Sequence, residues 1–417
     1  MQLTTLKTDT NTVQSVSTKQ FKSIQVHIRF IGPLTKETVT KRSLMLALMR
    51  AKSKAYPSRK ALAKAAEMLY DTHFTAQALK LGTKHIIQFT LAFVHPRFIE
   101  DQSYLNEVLT FLKTLIHEPF FDEKTLSEEK RFLSDYFDAE YSNKSRYAYK
   151  RYNEHLYEGH PFNIHALGDV HSIDTVTLSD VEASYQAMLN EDSVVISITG
   201  DHEDVISLKQ LNERLALKGK PLPKNFLFKH TFNEQPLIKE TMDVSQERLL
   251  IAFNTDTYFG DDAYFTALVF NSLFGEHSDS LLFQTVRERH SLAYYVHASY
   301  SPFSGIITVM SGMDAANINK AKTMIDDVLD QIKNGDFDDE RFEIAKTAIK
   351  LNVKQSYDNP SSLSLKGLRH ALFNTPFHED YILSSIEAIK KDNVMTFAKK
   401  IKKILTYQLG RDEDANN

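Results

Sequence analysis

The chain has no cysteine. That excludes disulfides, thiolate metal sites and a thiol nucleophile, and it fits a reducing compartment. Tryptophan is absent too, so 27 Phe and 18 Tyr must supply the large apolar surfaces. No apolar run approaches the length of a membrane span. The first residues, MQLTTLKTDTNTVQSVSTKQFKS, carry neither an apolar h-region nor a small-residue cleavage site, so no secretory leader is expected. A formal charge of −4 gives no broad basic field for nucleic acid. No P-loop, dinucleotide fingerprint or G-x-S-x-G elbow occurs. These absences point to a cytoplasmic protein that works without nucleic acid or membrane.

What is present suits two domains: 417 residues, 42% apolar and 25% charged. The same order of elements runs twice. SIQVHIRFIG alternates like a strand, with Ile24, Val26, Ile28 and Phe30 on one face, and ERLLIAFNTD is its counterpart. Helical sequence follows over about 41–70 and 263–288. Next come two strand pairs, FTAQALKL with HIIQFTLAF, and LAYYVHASY with GIITVMSGM. Short turns at Gly82-Thr83 and between Pro302 and Gly305 make each a hairpin. Two consecutive helices follow in each half. In the second half Ile318, Ala321, Ile325, Val328 and Ile332 keep helical spacing, with Asp314 as N-cap and Gly335 closing the helix. SVVISITGD and ILTYQLGRD end the halves as short strands. KGKPLPKNF, with two prolines, is the linker. The expected class is α+β: two homologous domains, 1–217 and 237–417, joined by a linker over 218–236. Each would be an antiparallel or mixed sheet with helices on one face. The end, GRDEDANN, reads as a solvated tail.

Three stretches carry a family resemblance that covers nearly the whole chain. They are AYPSRKALAKAAEMLYDTHFTAQA, HPFNIHALGDVHSIDTVTLSDVEASYQAML followed by SVVISITGD, and SDSLLFQTVRERHSLAYYVHASYSPFSG. In order and wording the chain resembles the insulinase/pitrilysin peptidases and the subunits of mitochondrial processing peptidase. It most resembles a divergent bacterial subgroup found beside an active homologue.

Active members of that family look like H-x-x-E-H on the first helix, with a distal Glu as third ligand. Two His four residues apart share a helical face and reach one zinc; the Glu between them serves as general base. Anchored on Tyr56-Pro57, the matching positions are Ser43 and Ala47 for the two His and Leu46 for the Glu. The third ligand would fall near Asp135 or Tyr136. The resemblance therefore implies no catalytic residue, no metal and no cofactor. The apolar run from Ser43 to Met49 reads as a face repacked into core.

The family's second-domain signature matches Arg287 and Tyr294, which the resemblance implies reach toward bound peptide. Arg offers several fixed donors to a carbonyl and Tyr a hydroxyl alongside. A local structural pair is the competing reading, and Arg289 and Tyr295 are the alternatives if the register slips. Residues 74–80 would form an edge strand able to hold an extended peptide by strand addition. His155, His160, His165 and His171 lie close in sequence, yet their spacing is not that of a metal site. Three functions follow. The first is a non-catalytic subunit that pairs with an active H-x-x-E-H homologue and helps bind an extended peptide. The second is a peptidase with an unconventional site, such as the His segment. The third is a self-pairing peptide-binding scaffold or chaperone.

Overall fold

The computed structural model describes residues 1–223, 226–229, 232 and 237–411. The expected linker over 218–236 thus lies partly outside the described residues, as does the tail from 412 onward. Six strands build the first sheet: β1 (Gln2–Lys7), β2 (Thr12–Ser17), β3 (Ser23–Pro33), β4 (His73–Leu81), β5 (Lys84–Val94) and β6 (Ser193–Gly200). Five build the second: β7 (Leu237–Met242), β8 (Glu247–Asn254), β9 (Tyr295–Ser301), β10 (Ile306–Met313) and β11 (Lys402–Arg411). The orders are β1-β2-β6-β3-β5-β4 and β7-β11-β8-β10-β9.

The duplication is visible in the pairing. β3 and β8 sit between antiparallel neighbours, β5 and β6 in one sheet, β10 and β11 in the other. The outer pairs β2–β6 and β7–β11 are both parallel. The hairpins β4–β5 and β9–β10 complete each copy. Gly82 makes the first turn possible: its φ is 57°, and a Cβ there would lie 1.7 Å from the Phe226 carbonyl oxygen. The first sheet has one strand more than the second. Residues 1–17, to which the sequence reading assigns no strand, form β1 and β2, paired from Gln2–Ser17 to Lys7–Thr12.

Period-two alternation decides which sheet face is apolar. Ile24, Val26, Ile28 and Phe30 are all fully buried, against the helices Lys36–Ala51, Tyr104–His117, Leu178–Glu191 and Leu208–Leu215. Leu249, Ile251 and Phe253 do the same in the second sheet, against Tyr264–Asn271, Ile318–Asn334 and Lys391–Ala398. Each such side chain contributes roughly 1.5–3 kcal/mol relative to an exposed one. The fold is the duplicated α+β arrangement that the sequence predicts.

Two expectations change in detail. The helix expected over 41–70 is two helices, Lys36–Ala51 and Arg59–Met68, because Pro57 cannot continue a helix and Ser58 caps the second by accepting from the Ala61 N–H. Asp314 does not cap the Ile318–Asn334 helix. A short turn over Ala315–Asn317 intervenes, and the Asp314 carboxylate accepts from Tyr294 Oη at 3.0 Å instead.

The chain forms two compact units: Met1–Asp138 with His160–Phe226 and Ser356–Phe377, and Ala139–Gly159 with Leu227–Gln355 and His378–Asn417. Each half lends the other unit a helix. Pro360–Phe373, from the second half, covers β6, β2 and β3 of the first sheet. Lys144–Leu156, from the first half, covers β8 and β11 of the second. Each sheet therefore carries one helix on the face opposite its main helical layer. No helix among the described residues is long and apolar enough to cross a membrane.

Candidate functional site

The helix Lys36–Ala51 carries the three positions where the family resemblance places zinc chemistry. Ser43 is buried, and its hydroxyl donates to the Ala166 carbonyl at 3.2 Å. Leu46 is 4% exposed and belongs to the first core. Ala47 has only a methyl group. Leu44, Met45, Leu48 and Met49 are 0–1% exposed, so this turn of helix is packing surface.

A polar brace locks the same helix. Arg42 forms a buried ion pair with Asp192, Nη2 to Oδ2 at 2.6 Å. Its Nε donates to His85 Nδ1 at 3.1 Å, and His85 Nε2 lies 2.9 Å from the Ala166 carbonyl. Burial, with the Arg42 charge beside it, pushes the His85 imidazole down to about 3. A neutral ring with its proton on Nε2 satisfies both contacts. Burial raises the Asp192 carboxyl, and Arg42 pulls the other way.

Neither Asp135 nor Tyr136, the two residues left open for the third position in the sequence, lines the pocket that holds Ala47. Asp135 lines a separate groove with Glu123, Lys130, Arg131, Ser134 and Asp174. The Tyr136 ring lies against Phe137 and His165. The carboxylate that shares a pocket with Ala47 is Glu129, on the helix Glu123–Ser142. Sequence reasoning missed it. The available signal was the pair Glu128-Glu129 with Arg59 just after Tyr-Pro-Ser. Glu129 is 6% exposed and ion-paired with Arg59, which also lies 3.6 Å from Glu128. Burial pushes the Glu129 carboxyl up, against the pull of Arg59 and Arg50.

This pocket, about 390 Å³, is lined by Ala47, Arg50, Ala51, Arg59, Glu129 and Phe132. One carboxylate already paired with a guanidinium is a poor cation ligand, since the positive charge repels a second cation. Among the described residues no group of three or more His, Asp and Glu is arranged to hold a metal. The four histidines do not converge. His155 belongs to the second unit, with Nε2 3.4 Å from Glu240. His160 and His165 lie in the first unit, where their Nδ1 atoms accept from the Phe162 and Leu167 N–H groups. His171 is exposed.

β4 stands at the edge of the first sheet, as the sequence suggests for residues 74–80. Arg50 Nη1 donates to the Ala76 carbonyl on this strand at 3.4 Å, which places the pocket beside the edge. In the second unit, Arg287 and Tyr294 have separate partners. Arg287 lies over the Phe283 ring, 4.7 Å from its centre. Tyr294 is 52% exposed and bonds Asp314, and this bond raises its hydroxyl pKa. Arg289 is exposed and Tyr295 half-buried.

With this geometry in view, the similarities to known proteins are informative. The family described as Peptidase M16 inactive domain matches residues 175–349. Over 414 residues, 97% of each chain, the sequence is 28% identical to the probable inactive metalloprotease YmfF of Bacillus subtilis (strain 168). A conserved protein from Enterococcus faecalis V583 superposes with a TM-score of 0.90 at 26% identity, covering 98% of this chain and 99% of that one. The peptidase M16 inactive domain from Pseudomonas fluorescens does so at 0.83 and 17%, covering 99% and 98%. The chain is a divergent homologue of the insulinase/pitrilysin-type (M16) peptidases that lacks their zinc motif. Its resemblance is to the non-catalytic kind.

Proposed function

We propose that this chain is the non-catalytic subunit of a cytoplasmic peptidase pair. It associates with an H-x-x-E-H homologue that supplies zinc and general base, and it helps hold an extended peptide. The observation that carries this reading is the combination in the first unit. The helix turn that grips zinc in active relatives is buried packing at Ser43 and Leu46, while β4 stands at the edge of the sheet. A strand at a sheet edge has backbone donors and acceptors free of sheet pairing on one side, which an extended peptide can pair with. Arg287 and Tyr294 are the peptide-binding residues we assign in the second unit. The bond from Tyr294 to Asp314 also favours a local bracing role for that tyrosine, and Tyr294→Phe separates the two. Loss of peptide affinity at unchanged stability supports binding; loss of stability at unchanged affinity supports bracing.

The pairing is tested by mixing the purified chain with an H-x-x-E-H homologue from the same genome and sizing the product. A stable one-to-one complex that cleaves peptides faster than the homologue alone is expected. A permanent pair should bury at least about 1,000 Å². A chain that stays monomeric or binds only itself, with the homologue's rate unchanged, contradicts the reading.

A further inference from the structure

The pocket beside β4 is lined by more positive than negative charge. Its lining contributes two guanidinium groups, Arg50 and Arg59, against one carboxylate, Glu129. That leaves a net charge of +1 (two positive, one negative). Arg59 is committed to Glu129 and Glu128. Arg50 is not. Among the described residues it makes no ion pair, it is exposed, and its hydrogen bond to the Ala76 carbonyl is long at 3.4 Å. A guanidinium presents paired donors in a plane, the geometry that a carboxylate accepts through two oxygens. The other walls are apolar: Ala47, Ala51 and Phe132, the last 49% exposed. The volume of about 390 Å³ is in the range of small-ligand sites.

We propose that this pocket binds a carboxylate carried by a peptide, with Arg50 as its partner and Phe132 packing against an adjoining apolar side chain. The inference rests on the reading that β4 accepts an extended peptide, because the bond from Arg50 to Ala76 puts the guanidinium at that edge. The carboxylate can be a chain terminus or an acidic side chain. On binding, Arg50 exchanges its weak carbonyl contact for a charge-assisted one.

Calorimetry with two sets of probes tests this. The first set is N-acetylphenylalanine against its amide. The second is one ten-residue peptide in three forms: free C-terminus, amidated, and amidated with a central Glu in place of Gln. The carboxylate forms should bind roughly tenfold more tightly than their neutral counterparts. The preference should vanish in Arg50→Gln, be partly kept in Arg50→Lys, and leave the neutral forms unchanged. Whichever acidic peptide gains affinity identifies the source of the carboxylate. Equal binding of acid and amide, or a preference that survives Arg50→Gln, overturns the inference. If N-acetylphenylalanine binds through Arg50 but no peptide does, strand addition fails and the pocket stands. If peptides bind without regard to carboxylate, strand addition stands and the pocket assignment fails.

Discussion

The two sheets solve one problem in different ways. Each has a face that must accept a helix lent by the other half of the chain, and that face is polar. In the second unit the lent helix, Lys144–Leu156, is tied by charge. Arg151 donates to Glu240 on β7 at 2.7 and 2.9 Å, and Tyr407 on β11 donates to the same carboxylate at 3.0 Å. Tyr152 adds a fully buried contact to Thr308 at 2.9 Å. In the first unit the helix Pro360–Phe373 covers Arg29, which is 2% exposed. Its partners are Gln88 at 2.7 Å, Ser197 at 3.1 Å and Ser364 at 3.0 Å, all neutral. Among the described residues no carboxylate pairs with it. Burial lowers the Arg29 guanidinium to about 9. One copy thus half-buries a compensated charge and the other fully buries an uncompensated one. The duplicated fold constrains backbone pairing and the apolar core far more tightly than the chemistry of this second face.

The comparison can be broken most strongly at Tyr152. Tyr152→Ala should destabilise the second unit by about 3–5 kcal/mol, through a cavity and an orphaned Thr308 hydroxyl. Hydrogen exchange should show β8, β10 and β11 opening while β3 and β6 keep their protection; equal loss in both sheets would mean that the units unfold as one. Next in size, Glu240→Gln should cost about 2 kcal/mol, because it removes a charge that four side chains, Tyr147, Arg151, His155 and Tyr407, solvate. Arg29→Met should cost less, within about 1 kcal/mol. It removes a buried charge along with its hydrogen bonds, leaving Gln88 to find another donor. A denaturation midpoint that falls more for Arg29→Met than for Glu240→Gln would invert the account.

Acid sharpens the comparison further. Burial depresses His27, helped by the Arg29 charge, and it depresses His85 and His202 as well. All three belong to the first unit. A base whose folded pKa lies below its unfolded value binds fewer protons when folded. Its destabilising effect therefore begins as pH falls below about 6.5 and grows toward the folded pKa, by up to about 1.4 kcal/mol per pH unit for each group. Glu129 and Asp192, raised by burial, oppose this nearer the carboxylate range. Glu240 is different. Its burial works against several donors, Arg151 first, and its carboxyl ends below the ordinary value. The stability it contributes is lost only as pH falls below about 4.5. Between pH 7 and 5 the first unit should loosen while the second holds, as read by exchange rates corrected for intrinsic pH dependence. Loss of protection first in the second unit would contradict this.

Much of the fold was legible because its signals are local. Alternation at Ile24, Val26, Ile28 and Phe30 fixed the core face of β3, and helical spacing from Ile318 to Ile332 fixed a long helix of the second core. The repeated order of elements revealed the duplication. The helix exchange was not legible. Lys144–Leu156 and Pro360–Phe373 were not singled out in the sequence, and nothing local says that each packs on the other half's sheet. The polar side of β3, with His27 and Arg29, carries no local sign that a helix covers it. At the site, the positions matching the two His ligands, Ser43 and Ala47, and the general base, Leu46, were readable because Tyr56-Pro57 anchors the register nearby. Glu129 was not, since 82 residues separate it from Ala47 (129 minus 47) and no landmark fixes the helix phase between them.

The central claim is that the first-unit helix cannot hold a catalytic zinc. Titrating the isolated, metal-stripped chain with zinc, with metal content and peptide turnover followed together, tests it directly. The account predicts no stoichiometric uptake and no cleavage at any zinc level. One tightly bound zinc per chain with accompanying turnover would contradict it.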